Sequence, residues 1–241
     1  MQRGRYSKYI RPIIIFIDLL VINLLVLVCL RSAMSNIGYH LILSSFWLIV
    51  AYYIRFYEVY RTTKETTIFS KLIKQFVFIW LITFAYVGFK YKFVTTKEIF
   101  IYILISFLFV GFFKFLVFFL LKKYRIHYKG NIRSVIIVGS KQNTSELVKY
   151  FNQNPYLGYL IVKHFDIKND KTISTNSIYD FISDNKIEEV YAALDDLSKS
   201  ETENLIDFTD NNFITLRLIP DNKSTLYRNL AVEYYGIIPI I

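Results

Sequence analysis

Cysteine is nearly absent. Cys29 stands alone among 241 residues, which excludes an internal disulfide and a cysteine-based metal cluster. Histidine is scarce as well: His40, His127 and His164 are scattered without ligand spacing and read as surface or loop residues. No serine, cysteine or histidine stands in a recognisable nucleophile setting, and repeats and low-complexity tracts are missing. Glycine is short where it would matter most. The stretch "VIIVGSKQNTSELV", residues 135–148, opens like a phosphate-binding turn yet carries a single glycine.

Apolar and basic residues are what the chain has in quantity: 54% hydrophobic, 18% aromatic and a formal net charge of +10. The apolar content is concentrated before residue 122. In a soluble protein such a charge would suggest nucleic acid. Here many of the lysines and arginines flank apolar runs, where they set topology and meet anionic headgroups, so no nucleic-acid partner is expected. The composition predicts two domains, a four-helix transmembrane domain over 1–128 and a Rossmann-like cytoplasmic domain over 129–241.

A bilayer core needs about 20 predominantly apolar residues per helix. Four stretches qualify: Ile10 to Leu30, Leu41 to Tyr57, Leu72 to Phe93 and Ile99 to Leu121. The first is too long for a signal-peptide core and no small-residue cleavage site follows it. Arg3, Arg5, Lys8 and Arg11 precede span one, Arg61, Lys64 and Lys71 follow span two, and Lys122, Lys123, Arg125, Lys129 and Arg133 follow span four. This distribution places both termini in the cytoplasm; Lys90, Lys92 and Lys97 in the third connection fit it least well. Two charges fall inside spans, Asp18 and Lys114, each about 10 to 12 Å from a cytoplasmic end at the helical rise. Lone charges at that depth are costly. An intramembrane ion pair between them is one expectation, and a snorkelling lysine with Asp18 on backbone or water is the other. No further polar residues converge as a transport site.

From Asn131 short apolar runs alternate with helical stretches. "SVIIVG", "YLIVKHFD", "EEVYAAL", "FITLRLIP" and "GIIPII" read as five strands, and "TSELVKYFNQN", "SIYDFISDN" and "SKSETENLIDFTDNN" as helices. Thr144 or Asn143 is the expected cap of the first of these helices. This alternation predicts an α/β fold, a Rossmann-like parallel sheet covered on both faces.

In a G-x-G-x-x-G fingerprint the second glycine lets backbone approach pyrophosphate and the third lets helix and strand pack closely. Here Gly139 survives, and Lys141 and Thr144 stand where the others would be. Asp166, 27 residues after Gly139, ends the second strand where an acidic residue can take a ribose hydroxyl. The candidate cofactor-binding residues are therefore Gly139, Ser140, Lys141 and Asp166. Either the helix N-terminus still binds an anion with help from Lys141, or the turn is structural, which the crowding by the Lys141 side chain favours. A nucleotide that does bind there is expected to bind weakly. Asp195 and Asp196 are adjacent carboxylates at the end of the third strand. Neighbours on a chain usually point apart, and Ser198 with Glu201 has capping-box spacing, so both aspartates read as turn residues rather than an acid and a base.

In order along the chain, the four spans, "FYEVYR", "VIIVG", "NPYLGY", "IEEVYAAL", "LRLIPD" and "VEYYGIIPII" resemble the amino-terminal part of the bacterial polyprenyl glycosylphosphotransferases, the undecaprenyl-phosphate sugar phosphotransferases. Those membrane enzymes pass a sugar phosphate from a nucleotide sugar to undecaprenyl phosphate and begin capsule, exopolysaccharide or O-antigen units. The resemblance covers the whole chain and rests on the order of its motifs and on the closing "VEYYGIIPII". It implies spans followed by a CoA-binding-like Rossmann domain, and beyond these a catalytic domain with a re-entrant helix and an Asp-Glu dyad. The sequence stops at Ile241, where that catalytic domain would start, so no position here receives the catalytic residues. The implied role is a membrane anchor and regulatory or assembly module, inactive alone, in the bacterial cytoplasmic membrane. Its implied surroundings are lipid and undecaprenyl phosphate, a separate catalytic chain and further copies of itself. Rival expectations are a membrane-bound nucleotide sensor and the amino-terminal part of a membrane nucleotide-sugar dehydratase.

Overall fold

The computed structural model describes residues 7–30, 37–90, 94–170, 174–220, 232–236 and 238–241. The chain divides into two compact units, Met1–Leu121 and Lys122–Ile241.

The first unit is helical, with α1 (Ser7–Cys29), α2 (Ile37–Tyr53), α3 (Glu65–Lys90) and most of α4 (Thr96–Tyr128). Among the described residues, three stretches are long and apolar enough to cross a membrane, Tyr9–Cys29, Glu65–Val87 and Thr96–Tyr128. The expected second span, Leu41 to Tyr57, is displaced four residues toward the N-terminus and falls short of membrane-crossing length. At 17 residues α2 reaches roughly 26 Å at 1.5 Å per residue, against about 30 Å of hydrocarbon. Its end has a specific cause. Arg55 takes φ +51°, the Phe56 N–H donates to Ala51 O at 2.8 Å and the Arg55 N–H to Tyr52 O at 3.1 Å, the two bonds of a Schellman cap. Phe56 folds back into the core beside Trp47.

Several polar groups inside this unit find partners, as an environment without water favours. Tyr39 donates to Thr83 Oγ1 at 3.1 Å, Gln75 to Trp47 O at 3.0 Å, Tyr102 to Ile22 O at 3.2 Å and Trp47 Nε1 to Tyr57 Oη at 2.7 Å. Large apolar side chains such as Phe16, Leu108 and Phe112 face outward, a surface suited to lipid and costly in water.

The second unit is a parallel α/β domain. Its strands β1 (Arg133–Val138), β2 (Tyr159–Phe165), β3 (Glu189–Ala193) and β4 (Thr215–Ile219) lie in the order β2-β1-β3-β4, all parallel. Between them run α5 (Lys141–Gln153), α6 (Thr175–Asp184) and α7 (Lys199–Asn211). Successive residues of β1 point to opposite faces. Val135 and Ile137 pack with Leu147 and Phe151 of α5, while Ile136 and Val138 pack with Ile178 and Ile182 of α6 and Leu205 of α7. Burial on both faces explains why β1 reads as an unbroken apolar run.

The expected fifth parallel strand is a hairpin strand instead. Gly236, at φ +69°, returns β5 (Glu233–Tyr235) into β6 (Ile238–Ile240), and the two pair antiparallel. A parallel pairing needs a crossover of a dozen or more residues, which so short a turn cannot provide. Ile241 then exchanges two 2.9 Å backbone hydrogen bonds with Leu218 of β4.

Candidate functional site

The chain leaves β1 to place β2 on one side of it and returns to place β3 on the other, so the topological switch lies between β1 and β3. Ligands of open α/β sheets gather at the carboxyl ends of the strands at such a point. Two segments meet there, the turn from β1 into α5 and the short 3₁₀ turn Leu194–Asp196 after β3.

Gly139 starts the first segment at φ +143°, a backbone region that essentially only glycine occupies. Its N–H donates to Phe165 O of β2 at 2.9 Å. A Cβ here would lie 2.7 Å from the Ala193 Cβ and 3.0 Å from Asp196 Oδ2. The surviving glycine thus admits the turn that follows β3. Ser140 comes next in extended conformation and precedes α5, which begins at Lys141. That start is earlier than the expected cap at Asn143 or Thr144, because Thr144 is already inside the helix and its hydroxyl donates to Ser140 O at 2.8 Å. His164 Nε2 sits 2.9 Å from Thr144 Oγ1 and 3.0 Å from Gly139 O. With the threonine proton directed to Ser140, this geometry assigns the proton to Nε2.

The carboxylate of Asp196 occupies the mouth of α5. Its Oδ2 accepts from the Ser140 N–H at 2.6 Å and from Ser140 Oγ at 2.8 Å, and its Oδ1 accepts from Asn143 Nδ2 at 2.9 Å. Lys168 Nζ pairs with the same Oδ1 at 2.6 Å, and the aspartate side chain has no solvent exposure. Burial pushes this carboxyl up. The bonds from Lys168 and from the Ser140 N–H and hydroxyl outweigh it and hold Asp196 below the ordinary carboxylate range. Asp196 thereby satisfies a backbone donor that a helix start leaves open, and places negative charge at the positive end of the helix dipole.

Among the predicted residues, Gly139 and Ser140 belong to this constellation. Lys141 does not supply its charge, because Lys168 does. Exposed at the first position of α5, Lys141 lines a surface cavity of about 460 Å³ with Ser145, Val148, Lys149 and His164. Asp166 follows β2, at the position of a ribose acceptor, and turns its carboxylate to its own loop: Oδ2 accepts from Asn169 Nδ2 at 2.9 Å and Oδ1 from the Asn169 N–H at 3.4 Å. Those bonds, the side-chain one foremost, hold its pKa below the ordinary value, with Lys141 and His164 adding to the effect. Asp195 and Asp196 do point apart, as their adjacency predicts. Asp195 is exposed while Asp196 is enclosed, so Asp196 is more than a turn residue. After them, Ser198 and Glu201 close the expected capping box, with the Ser198 N–H donating to Glu201 Oε2 at 2.8 Å. A second cavity, about 130 Å³, lies under Asp196 among Val138, Ile167, Ile178 and Tyr179. It is well below the roughly 300 Å³ at which small-molecule pockets begin.

In the helical unit, Asp18 and Lys114 are both buried. They do not form the expected direct ion pair. Lys114 Nζ donates to Phe56 O at 3.0 Å and lies over the Phe56 ring. The physical reason is the cap of α2, which presents a free carbonyl and an aromatic face to the ammonium. Neither Asp18 oxygen has a well-formed hydrogen bond, although Lys114 and Tyr57 are close enough to act on it electrostatically.

A parallel sheet with a βα turn at its switch point, in a chain that also carries apolar helices of membrane-crossing length, defines a Rossmann-like protein with membrane-type helices. The comparison with protein families is more specific. A family model described as a CoA-binding domain matches residues 53–220, and the chain belongs to that family. The match starts at the last residue of α2, includes α3 and α4, and ends just after β4. No curated protein matches the chain.

Coenzyme A carries a pyrophosphate, which in this fold would rest on the α5 N-terminus. The residues present do not fit it there. The donors that would bind it, the Ser140 N–H and hydroxyl and the Asn143 amide, are already bonded to Asp196. A phosphate brought to the same atoms would meet a like-charged carboxylate at bonding distance.

Proposed function

We propose that the chain is a membrane anchor and regulatory or assembly module for an initiating sugar-phosphate transferase, of the kind that loads undecaprenyl phosphate in capsule, exopolysaccharide or O-antigen synthesis. The observation that supports this reading is the continuity of the family match across both units, from the end of α2 through two membrane-length helices, α3 and α4, to just past β4. Helices α3 and α4 and the four-stranded sheet thus fall within one family match, and the order of the sequence motifs along the chain resembles that of the glycosylphosphotransferases. Within this reading α2 is a short fourth span, which returns both termini to the cytoplasmic face of the bacterial inner membrane. The helices hold a catalytic chain at the leaflet where its lipid phosphate lies, and so raise local concentration rather than make bonds. Copies of the module associate with one another.

Membranes carrying only this chain, given UDP-sugars and undecaprenyl phosphate, test the proposal beside membranes with an intact transferase. UMP release at background, together with co-purification of a sugar-phosphate transferase from cells that make both, is the expected result. UMP release above background from this chain alone would place catalysis within it and overturn the proposal.

A further inference from the structure

We propose that Asp196 is a built-in stand-in for the phosphate that this fold otherwise places on α5, so that the seated Leu194–Asp196 turn and an anion on Ser140 and Asn143 exclude each other. Three features of the site support this. First, Asp196 uses both oxygens on four donors, the Ser140 N–H and Oγ, Asn143 Nδ2 and Lys168 Nζ, a set suited to a phosphate as well as to a carboxylate. Second, the carboxylate side chain is fully enclosed, so no anion takes its place on Ser140 and Asn143 until the turn moves. Third, the glycine kept from the phosphate-binding pattern accommodates the turn itself, since a Cβ on Gly139 would meet Ala193 and Asp196.

The consequence is a latch. As folded, the domain is closed to pyrophosphate compounds, coenzyme A included. With Asp196 removed or swung out, the same donors and Lys168 form an anion site of the ordinary kind. The latch holds whether or not the chain serves a transferase.

The test uses the full chain in nanodiscs, with inorganic pyrophosphate and coenzyme A as probes and sodium chloride at matched ionic strength as control. Unfolding of the α/β unit is followed by thermal proteolysis, with cuts within Lys122–Ile241 mapped by mass spectrometry, because tryptophans and tyrosines such as Trp47 and Tyr102 also lie in the helical unit. The wild-type midpoint is expected to stay unmoved by either probe. Asp196→Ala is expected to lower the midpoint, and pyrophosphate to raise it again by several degrees, since a ligand that binds only the folded state stabilises it. Lys168→Ala, which leaves the carboxylate on the turn, is expected to stay unresponsive. A wild-type midpoint that rises with either probe would show an open site and overturn the proposal. A folded Asp196→Ala that ignores pyrophosphate would overturn it equally. Should Asp196→Ala fail to fold, Asp196→Ser, which also removes the carboxylate from the mouth of α5 but keeps a hydroxyl, is held to the same two outcomes.

Discussion

Replacing Gly139 with alanine probes the closed turn by geometry alone, since it removes no hydrogen bond. Two costs arise. The residue is held at φ +143°, where a side chain costs about 1–3 kcal/mol. The new methyl would also lie 2.7 Å from the Ala193 Cβ and 3.1 Å from Thr144 Cγ2. Ala193 is buried in β3 and has no rotamer to yield, so backbone must shift, at about another 1–3 kcal/mol. Alanine's smaller unfolded-state entropy returns only about 0.4–1 kcal/mol. The net loss is about 1–5 kcal/mol, a sizeable share of the roughly 5–15 kcal/mol a domain possesses. For a unit of this size that lowers the unfolding midpoint of the α/β unit, followed in the full chain by mapped thermal proteolysis, by about 4 °C or more. A midpoint within about 2 °C of wild type would refute the close approach of the two turns.

Further expectations concern other buried groups. Glu189 is fully buried between Arg133 and Arg217 and accepts the Tyr191 hydroxyl at 2.8 Å; Glu189→Ala takes the carboxylate from Arg133 and leaves Arg217 with Glu233, and should cost about 1.5–3 kcal/mol in chemical denaturation, and an effect below about 0.5 kcal/mol would contradict the network. Asp196 has a depressed pKa in the folded state, so its contribution is complete above its unfolded value, near pH 4, and is lost as pH falls through the lower folded value. An acid titration of stability should therefore be shallower in Asp196→Asn than in wild type below about pH 4, and identical slopes would count against the contacts described. In the helical unit, Asp18→Asn should leave stability in detergent unchanged or higher, because no hydrogen bond to the carboxylate is lost, whereas Lys114→Met forfeits the bond to Phe56 O and should cost about 1–3 kcal/mol. Equal and large losses from both would restore the direct ion pair.

Local chemistry made most of the architecture readable. Four parallel strands announced themselves as short apolar runs between helical stretches, and the Ser198 and Glu201 capping box follows from three-residue spacing. The end of α2 was harder to see, because the sequence run stays apolar through Tyr57 while an arginine, not a glycine, takes the left-handed cap position. "GIIPII" looked like another parallel strand since its partner is set by the turn at Gly236 rather than by its own composition. The candidate site was half legible. Gly139 and Ser140 stand out beside a strand, but the group that decides their role, Asp196, lies 56 residues away from Ser140. Only the strand order brings it there. A usable signal did exist: an aspartate just past the third strand of an α/β pattern sits next to the first βα turn whenever the third strand neighbours the first. Lys168 offered no such signal, being one of many lysines in a basic chain.

The closed turn is tested most directly by amide hydrogen exchange at Ser140, measured by NMR in the full chain. The Ser140 N–H, bonded to a buried carboxylate at 2.6 Å, should exchange slowly in wild type and at least about tenfold faster in Asp196→Asn, as expected for a weakened bond to a charged group. Rapid exchange in wild type, or equal rates in the two proteins, would contradict the presence of Asp196 on the helix.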